Sequence, residues 1–276
     1  MKIAFISFYS GHVPRGVEVL VHELASRFAK NNEVTVFQAG PAKTNAKYKT
    51  VEISVDVDWK HPETKNQASR RLGLDYWSLK VMEFTKKVLD ELDKDTEIIF
   101  CLNGEWAVFL CRLWSWKHKA KLVVGGFSGP GWTDRLNLFF HPDAFVALTD
   151  FQKKWAQKNS IGVRVEKIPN GVDVSVFNPD VKPIKTNLPR PIFLCVAAFE
   201  NNKQIDKTIK AVAGLEKGSL LLIGVGSLEN ELTELGKNLL PGRFKIEKVF
   251  EERASYYATC DVFTMTPISA ESFGMV

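Results

Sequence analysis

Short apolar runs alternate with helix-period segments along almost the whole chain, and this alternation restricts the fold more than any other feature. Strand-like runs fall at 2–8, 33–38, 51–55, 97–102, 121–126, 143–148 and 164–169, and resume at 191–197, 219–223, 244–249 and 261–265. Between them, Val17, Leu20, Val21, Leu24 and Phe28 recur at helical spacing, as do Trp77, Val81, Phe84, Val88 and Leu92. Thr149-Asp150-Phe151-Gln152 has the form of a capping box that opens another helix. Strand–helix alternation of this kind predicts an α/β protein, with doubly wound parallel sheets covered by helices on both faces.

Four prolines (Pro179, Pro183, Pro189 and Pro191) crowd the stretch after Asn178, where no periodic apolar pattern exists. Proline removes backbone donors and keeps its predecessor out of helix, so this stretch reads as a linker. The expected division is a first domain over 1–178, a linker over 179–190 and a second domain over 191–276. In two-domain α/β proteins the ligand usually lies outside the carboxyl ends of the strands.

At 276 residues, 45% apolar and 25% charged, the chain has the balance of a globular enzyme. A net charge of +5 suits anionic small molecules or an acidic membrane surface. It falls short of a nucleic-acid binder, and no nucleic-acid motif accompanies it. Cys101, Cys111, Cys195 and Cys260 have no zinc-like spacing, so a reducing, cytoplasmic setting is expected. Lys2 followed by 3–9 imitates a signal peptide but runs into Gly11 and Gly16 without a cleavage site, and a buried first strand is the better reading. No apolar run approaches the ~18 residues of a membrane span.

The most informative chemistry stands at Glu271-Ser272-Phe273-Gly274, after a strand-like run and a Thr266-Pro267 turn. A helix start offers unpaired N–H groups and partial positive charge to a phosphate. A carboxylate just ahead of it suits a hydroxyl-rich group carried by that phosphate, as in a nucleotide-sugar. Lys203, just past the strand at 191–197, either neutralises a diphosphate or is a solvated surface lysine. Gly16 opens a helix after the first strand, where a phosphate could approach the backbone. Asn170, in Pro169-Asn170-Gly171, either touches ligand or simply turns the chain.

Gly224-Val225-Gly226-Ser227 invites a dinucleotide reading, but Glu229 stands where the third glycine belongs, which disfavours a nicotinamide cofactor. Asp56 and Asp58 imitate a metal-binding DxD pair, a short motif frequent by chance. His22-Glu23 lacks the second histidine of a zinc peptidase, with Ser26 in its place. The stretch 106–121, with Trp106, Trp114, Trp116 and several lysines, reads as a helix buried beside the sheet or as a membrane-resting surface.

Together these features resemble the retaining GT-B glycosyltransferases, specifically family 4, the glycosyl transferases group 1. The resemblance rests on the glycine turn and helix at 11–28, Pro169-Asn170-Gly171-Val172-Asp173 before Phe177 and Pro179, Lys203, the Gly224/Gly226 turn, Tyr257-Ala258-Thr259-Cys260-Asp261-Val262-Phe263, and Glu271-Ser272-Phe273-Gly274. It implies two Rossmann-like domains, the first on the acceptor side and the second holding the donor. Lys203 then contacts the diphosphate and Glu271 the transferred sugar. Gly16, Asn170, Gly224, Gly226, Ser272, Phe273 and Gly274 border the donor. The reaction implied retains configuration, with a nucleotide-diphospho-sugar as co-substrate and neither metal nor cofactor. The acceptor is a glycan, lipid or small molecule, with peripheral membrane contact an open reading.

Three departures from the family pattern stand out. Ala198 or Phe199 occupies the place of a family arginine, and no histidine appears in 127–132. The family's second glutamate would fall eight positions after Glu271, past residue 276. The second domain is therefore expected to be incomplete, the sequence a C-terminally truncated fragment, and that fragment inactive alone. The rival readings are a non-catalytic nucleotide- or glycan-binding module of the same fold and, less favoured, an oxidoreductase.

Overall fold

The computed structural model describes residues 1–276 apart from 13–15, 63, 65, 250, 251, 269–272 and 275. The chain forms two compact units, residues 1–170 and residues 171–274 with Val276.

The first unit runs β1 (Lys2–Ser7), α1 (Gly16–Phe28), β2 (Glu33–Gln38), β3 (Lys49–Glu52), α2 (Gln67–Arg71), α3 (Tyr76–Glu91), β4 (Ile98–Cys101), α4 (Trp106–His118), β5 (Lys121–Gly125), α5 (Trp132–Phe139), β6 (Ala144–Ala147), α6 (Asp150–Lys158) and β7 (Arg164–Lys167). Its strands pair in parallel in the order β3-β2-β1-β4-β5-β6-β7. Alternate residues of β1 and the residue after it serve opposite faces. Ala4, Ile6 and Phe8 join Phe84, Val88, Cys111 and Phe145 on one side, while Ile3 and Phe5 meet Val21 and Ala25 on the other. Two buried faces explain why the parallel strands read as continuous apolar runs rather than alternating ones.

The second unit runs β8 (Ile192–Val196), α7 (Ile205–Ala213), β9 (Ser219–Ile223), α8 (Glu229–Leu239), β10 (Phe244–Glu247), α9 (Arg253–Thr259) and β11 (Val262–Phe263). Its parallel sheet has the order β10-β9-β8-β11. Leu220 and Leu222 pack with Ile209 and Leu232 on one face; Leu221 and Ile223 pack with Tyr256 on the other. The proline-rich stretch is fastened to this unit. Ile184 and Leu188 pack against its core, and the Ile184 N–H donates to Thr259 Oγ1 at 2.9 Å. The Asp261 carboxylate accepts from Ile192 N–H at 2.7 Å and pairs with Arg190.

Each strand-like run of the sequence is a strand here, with β3 starting two residues early. α3 is capped by Asp75, whose carboxylate accepts from the Trp77 and Ser78 N–H groups. At α6 the capping box is formed in a shifted way. Thr149 Oγ1 accepts from Gln152 N–H at 3.1 Å, but the Gln152 side chain returns to Leu148 N–H, one residue earlier than a box requires. α2 and α5 escape sequence pattern. α2 is a single short turn capped by Asn66, and the inward face of α5 carries Asp134 and Asn137 beside Leu138, leaving no apolar stripe to read. No helix among the described residues is long and apolar enough to cross a membrane.

Candidate functional site

Both sheets share one topological property. In each, the chain moves outward from the first strand to one side, then returns to place a later strand on the other side. The loops leaving the two strands diverge there and open a crevice at their carboxyl ends. The switch points are β1/β4 in the first unit and β8/β11 in the second.

At the second unit's switch point, the loop after β8 is locked to the loop after β9. Phe199 N–H donates to Val225 O at 2.9 Å, and Leu228 N–H donates to Phe199 O at 3.0 Å. The Glu200 carboxylate accepts from Ser227 N–H at 3.2 Å and from its hydroxyl at 2.8 Å. This approach leaves no room for side chains. A Cβ on Gly224 would sit 1.9 Å from Ala197 O, and one on Gly226 would sit 2.5 Å from Phe199 O. Backbone cannot yield as a flexible side chain can, so Gly224→Ala is expected to destabilise the second unit by about 2–3 kcal/mol. Denaturant titration checks this; an unchanged midpoint would refute the close approach.

Lys203 ends the short 3₁₀ turn Asn201–Lys203 and is half-buried. That turn is tied to the segment following β11. Ile268 N–H donates to Asn202 O at 2.9 Å, and Thr266 Oγ1, 2.8 Å from Thr208 Oγ1, lies 2.9 Å from Gln204 O. The Lys203 turn thus meets the segment that leads into residues 269–272. Glu271 and Ser272 lie outside the described residues. Phe273 is partly exposed, and Gly274 has φ +75°, a conformation glycine adopts freely. Of Ala198 and Phe199, the two candidates for the place of the family's arginine, Ala198 is exposed and Phe199 is wholly buried in the core.

Gly16 opens α1, but 13–15 lie outside the described residues. Asn170 is the half-buried last residue of the first unit. Asp58 is a turn residue, its Oδ1 accepting from Lys60 N–H at 3.0 Å, and the described residues contain no cluster of three or more metal-ligating side chains. His22 bonds the Tyr48 hydroxyl. In α4, Trp114 is buried and Trp106 Nε1 donates to Gly73 O at 2.8 Å, while Trp116 is exposed with the Arg112 guanidinium over its ring.

The first unit's switch point holds a site that the sequence reading missed. Phe8 N–H donates to Asn103 Oδ1 at 2.8 Å, joining the ends of β1 and β4. Beside this junction lies a cavity of about 180 Å³, lined by Tyr9, Arg70, Asp75, Trp77, Ser78 and Glu105 among others. Five pieces of chain build it: the exit of β1, α2 with the residues before it, the cap and first turns of α3, the β4–α4 turn and the start of α5. Gly104 permits their approach, since a Cβ there would meet Thr133 Cγ2 at 2.6 Å. Glu105 takes φ +57° without being glycine, held by Asn137 Oδ1, which accepts from its N–H at 2.9 Å. Burial first, and then the nearby Asp75 charge, raise the Glu105 carboxyl above the usual range. The available signal was Asn103-Gly104-Glu105 directly after an apolar run, a polar turn at a strand's carboxyl end.

Fold and site together define a GT-B architecture. The chain matches HepE of Anabaena in complex with UDP, at TM-score 0.73 and 15% identity over 100% of this chain and 76% of that one. It matches a glycosyltransferase from Rickettsia africae at TM-score 0.67 and 18% identity, covering 99% and 75%. A pneumococcal O-GlcNAc transferase, GtfA, in complex with UDP and GlcNAc, matches at TM-score 0.70 and 12% identity over 100% and 81%. Residues 177–276 match the family model of the glycosyl transferases group 1. The chain therefore has the GT-B fold, and the part of its second unit from 177 to 276 is similar to the glycosyl transferases group 1. No curated protein matches it by sequence.

Proposed function

We propose that the protein transfers a sugar from a nucleotide-diphospho-sugar to a hydroxyl-bearing acceptor, with retention of configuration and without a metal. One observation carries the reading. Within the segment matched by the group 1 family model, the Lys203 turn and the strand leading to Glu271 meet at a switch point. The second unit holds the donor, Lys203 facing its diphosphate and Glu271 its sugar. Gly224, Gly226, Ser272, Phe273 and Gly274 border the donor there, and Gly16 and Asn170 are the donor-binding residues proposed in the first unit. The bond from the anomeric carbon to the diphosphate breaks, and the diphosphate leaves with the electron pair. The acceptor oxygen bonds the same face and its proton passes to the departing diphosphate. Charge grows on the diphosphate as this happens, and a fixed cation and backbone N–H groups stabilise it. The UDP present in structures of similar fold supports this class of donor.

The first unit takes the acceptor, a glycan, lipid or small molecule. The four free cysteines favour a reducing, cytoplasmic setting. Exposed Trp116 beside Lys117 and Lys119 offers a small surface for peripheral membrane contact. Isothermal titration with a panel of nucleoside diphosphates, run beside assays of sugar-donor hydrolysis, tests the function. Binding of one diphosphate and turnover of its sugar conjugate are expected. Binding without turnover would select the non-catalytic module, which the absence of the family's arginine and histidine favours; no binding would remove both readings.

A further inference from the structure

Building on the acceptor role assigned to the first unit, we propose that the β1/β4 cavity binds one neutral sugar ring of the acceptor, with the Glu105 carboxylate receiving that ring's hydroxyl protons. A volume of about 180 Å³ is room for roughly six waters. That is below the usual ligand-pocket range and matches a single sugar ring better than a larger group.

Proton counting identifies the missing partner. Ser78 has one hydroxyl proton and two carboxylates in reach, Asp75 Oδ2 at 2.5 Å and Glu105 Oε2 at 3.2 Å. Asp75 takes it, because a hydroxyl–carboxylate bond is favoured at the shorter distance. Glu105 Oε1 has Thr133 Oγ1, also at 3.2 Å, beyond the usual hydroxyl–oxygen range. Glu105 is thus a half-buried carboxylate whose two side-chain hydroxyl contacts are both long, on the wall of a cavity. A glycine would adopt its backbone conformation without strain, yet a carboxylate stands there.

A ligand that completes this site brings hydroxyl donors. An anionic ligand meets two carboxylates. A cationic ligand is drawn by those carboxylates and opposed by Arg70, so glucosamine is the competitor that the test must separate from the neutral sugars. The remaining walls suit a ring. Trp77 and Tyr9 stand 6.1 Å apart, and Trp106 has its N–H bound to Gly73 O, leaving carbon surface. Aromatic carbon beside carboxylate and hydroxyl groups matches the alternating C–H and O–H surface of a pyranose.

The test titrates the protein, with tryptophan fluorescence as readout, with methyl α-glucoside, methyl β-galactoside, methyl α-mannoside, N-acetylglucosamine, glucosamine and glucuronate. At least one neutral sugar should bind more tightly than the charged ones. Glu105→Gly should weaken that binding by about tenfold or more, the scale of a lost charge-assisted hydrogen bond. Because glycine relieves the backbone, Glu105→Gly should melt no lower than wild type, which excludes misfolding as the cause. Glu105→Gln, which keeps the shape, should lose less. Preference for glucosamine or glucuronate, absence of neutral-sugar binding, or unchanged affinity in Glu105→Gly would each overturn the proposal. Nucleoside diphosphate affinity, measured on the same variants, should not change. Its absence from wild type with sugar binding intact would instead mark failure of the transferase reading.

Discussion

Replacing Lys203 or Glu271 by alanine is expected to lower sugar-transfer turnover by about 10²–10³-fold, equivalent to roughly 3–4 kcal/mol of transition-state stabilisation. The two variants should fail in different ways. In the proposed reaction Lys203 faces charge that grows as the diphosphate departs, so its loss should fall on kcat more than on donor KM. The role proposed for Glu271 is to orient the sugar, so its variant should still bind the free nucleoside diphosphate at wild-type affinity. The lysine is the more important because the place of the family's arginine holds Ala198 or Phe199, neither of which supplies a second cation. Lys203 is half-buried, so equal melting temperatures must accompany the kinetics. Unchanged turnover in both variants would withdraw both assignments.

The second large effect concerns stability. At pH 8, Asp134→Asn is expected to stabilise the first unit by about 3 kcal/mol, and near pH 4 by little. Asp134 is fully buried in the first turn of α5, with Gln152 Nε2 at 3.2 Å, while its Oδ1 has no partner among the described residues. Burial outweighs the Gln152 bond and pushes its carboxyl up to about 7. The folded protein therefore holds a proton that the unfolded chain has already released above about pH 4. Stability should fall as pH rises from about 4 to about 7 and level off beyond. The positive end of α5 opposes this effect, which places the expected size below the full shift. Denaturant midpoints of both proteins from pH 4 to 8 should converge at the acid end. A constant difference across that range would mean Asp134 is already ionised in the folded state.

The sequence announced the fold well and the sites unevenly. Parallel strands buried on both faces write themselves as apolar runs, so β1 through β11 were legible. α5 was not, because Asp134 and Asn137 occupy the face that an ordinary helix gives to leucines. Gly224 and Gly226 were visible as a motif, yet what the structure requires of them is the approach of the Ala197–Phe199 backbone. The cavity at Glu105 was illegible for a different reason. It joins residues 9, 75, 105 and 133, and only packing brings such distant positions together.

The single hydroxyl of Thr266 and the amide of Ile268 weld the lysine turn to the strand exit beyond β11. These two stretches, more than sixty residues apart in the chain, consequently behave as one mechanical part. A sugar pulling on either would shift both, so kinetic defects from substitutions at Thr266 should be attributed to displaced geometry before lost chemistry.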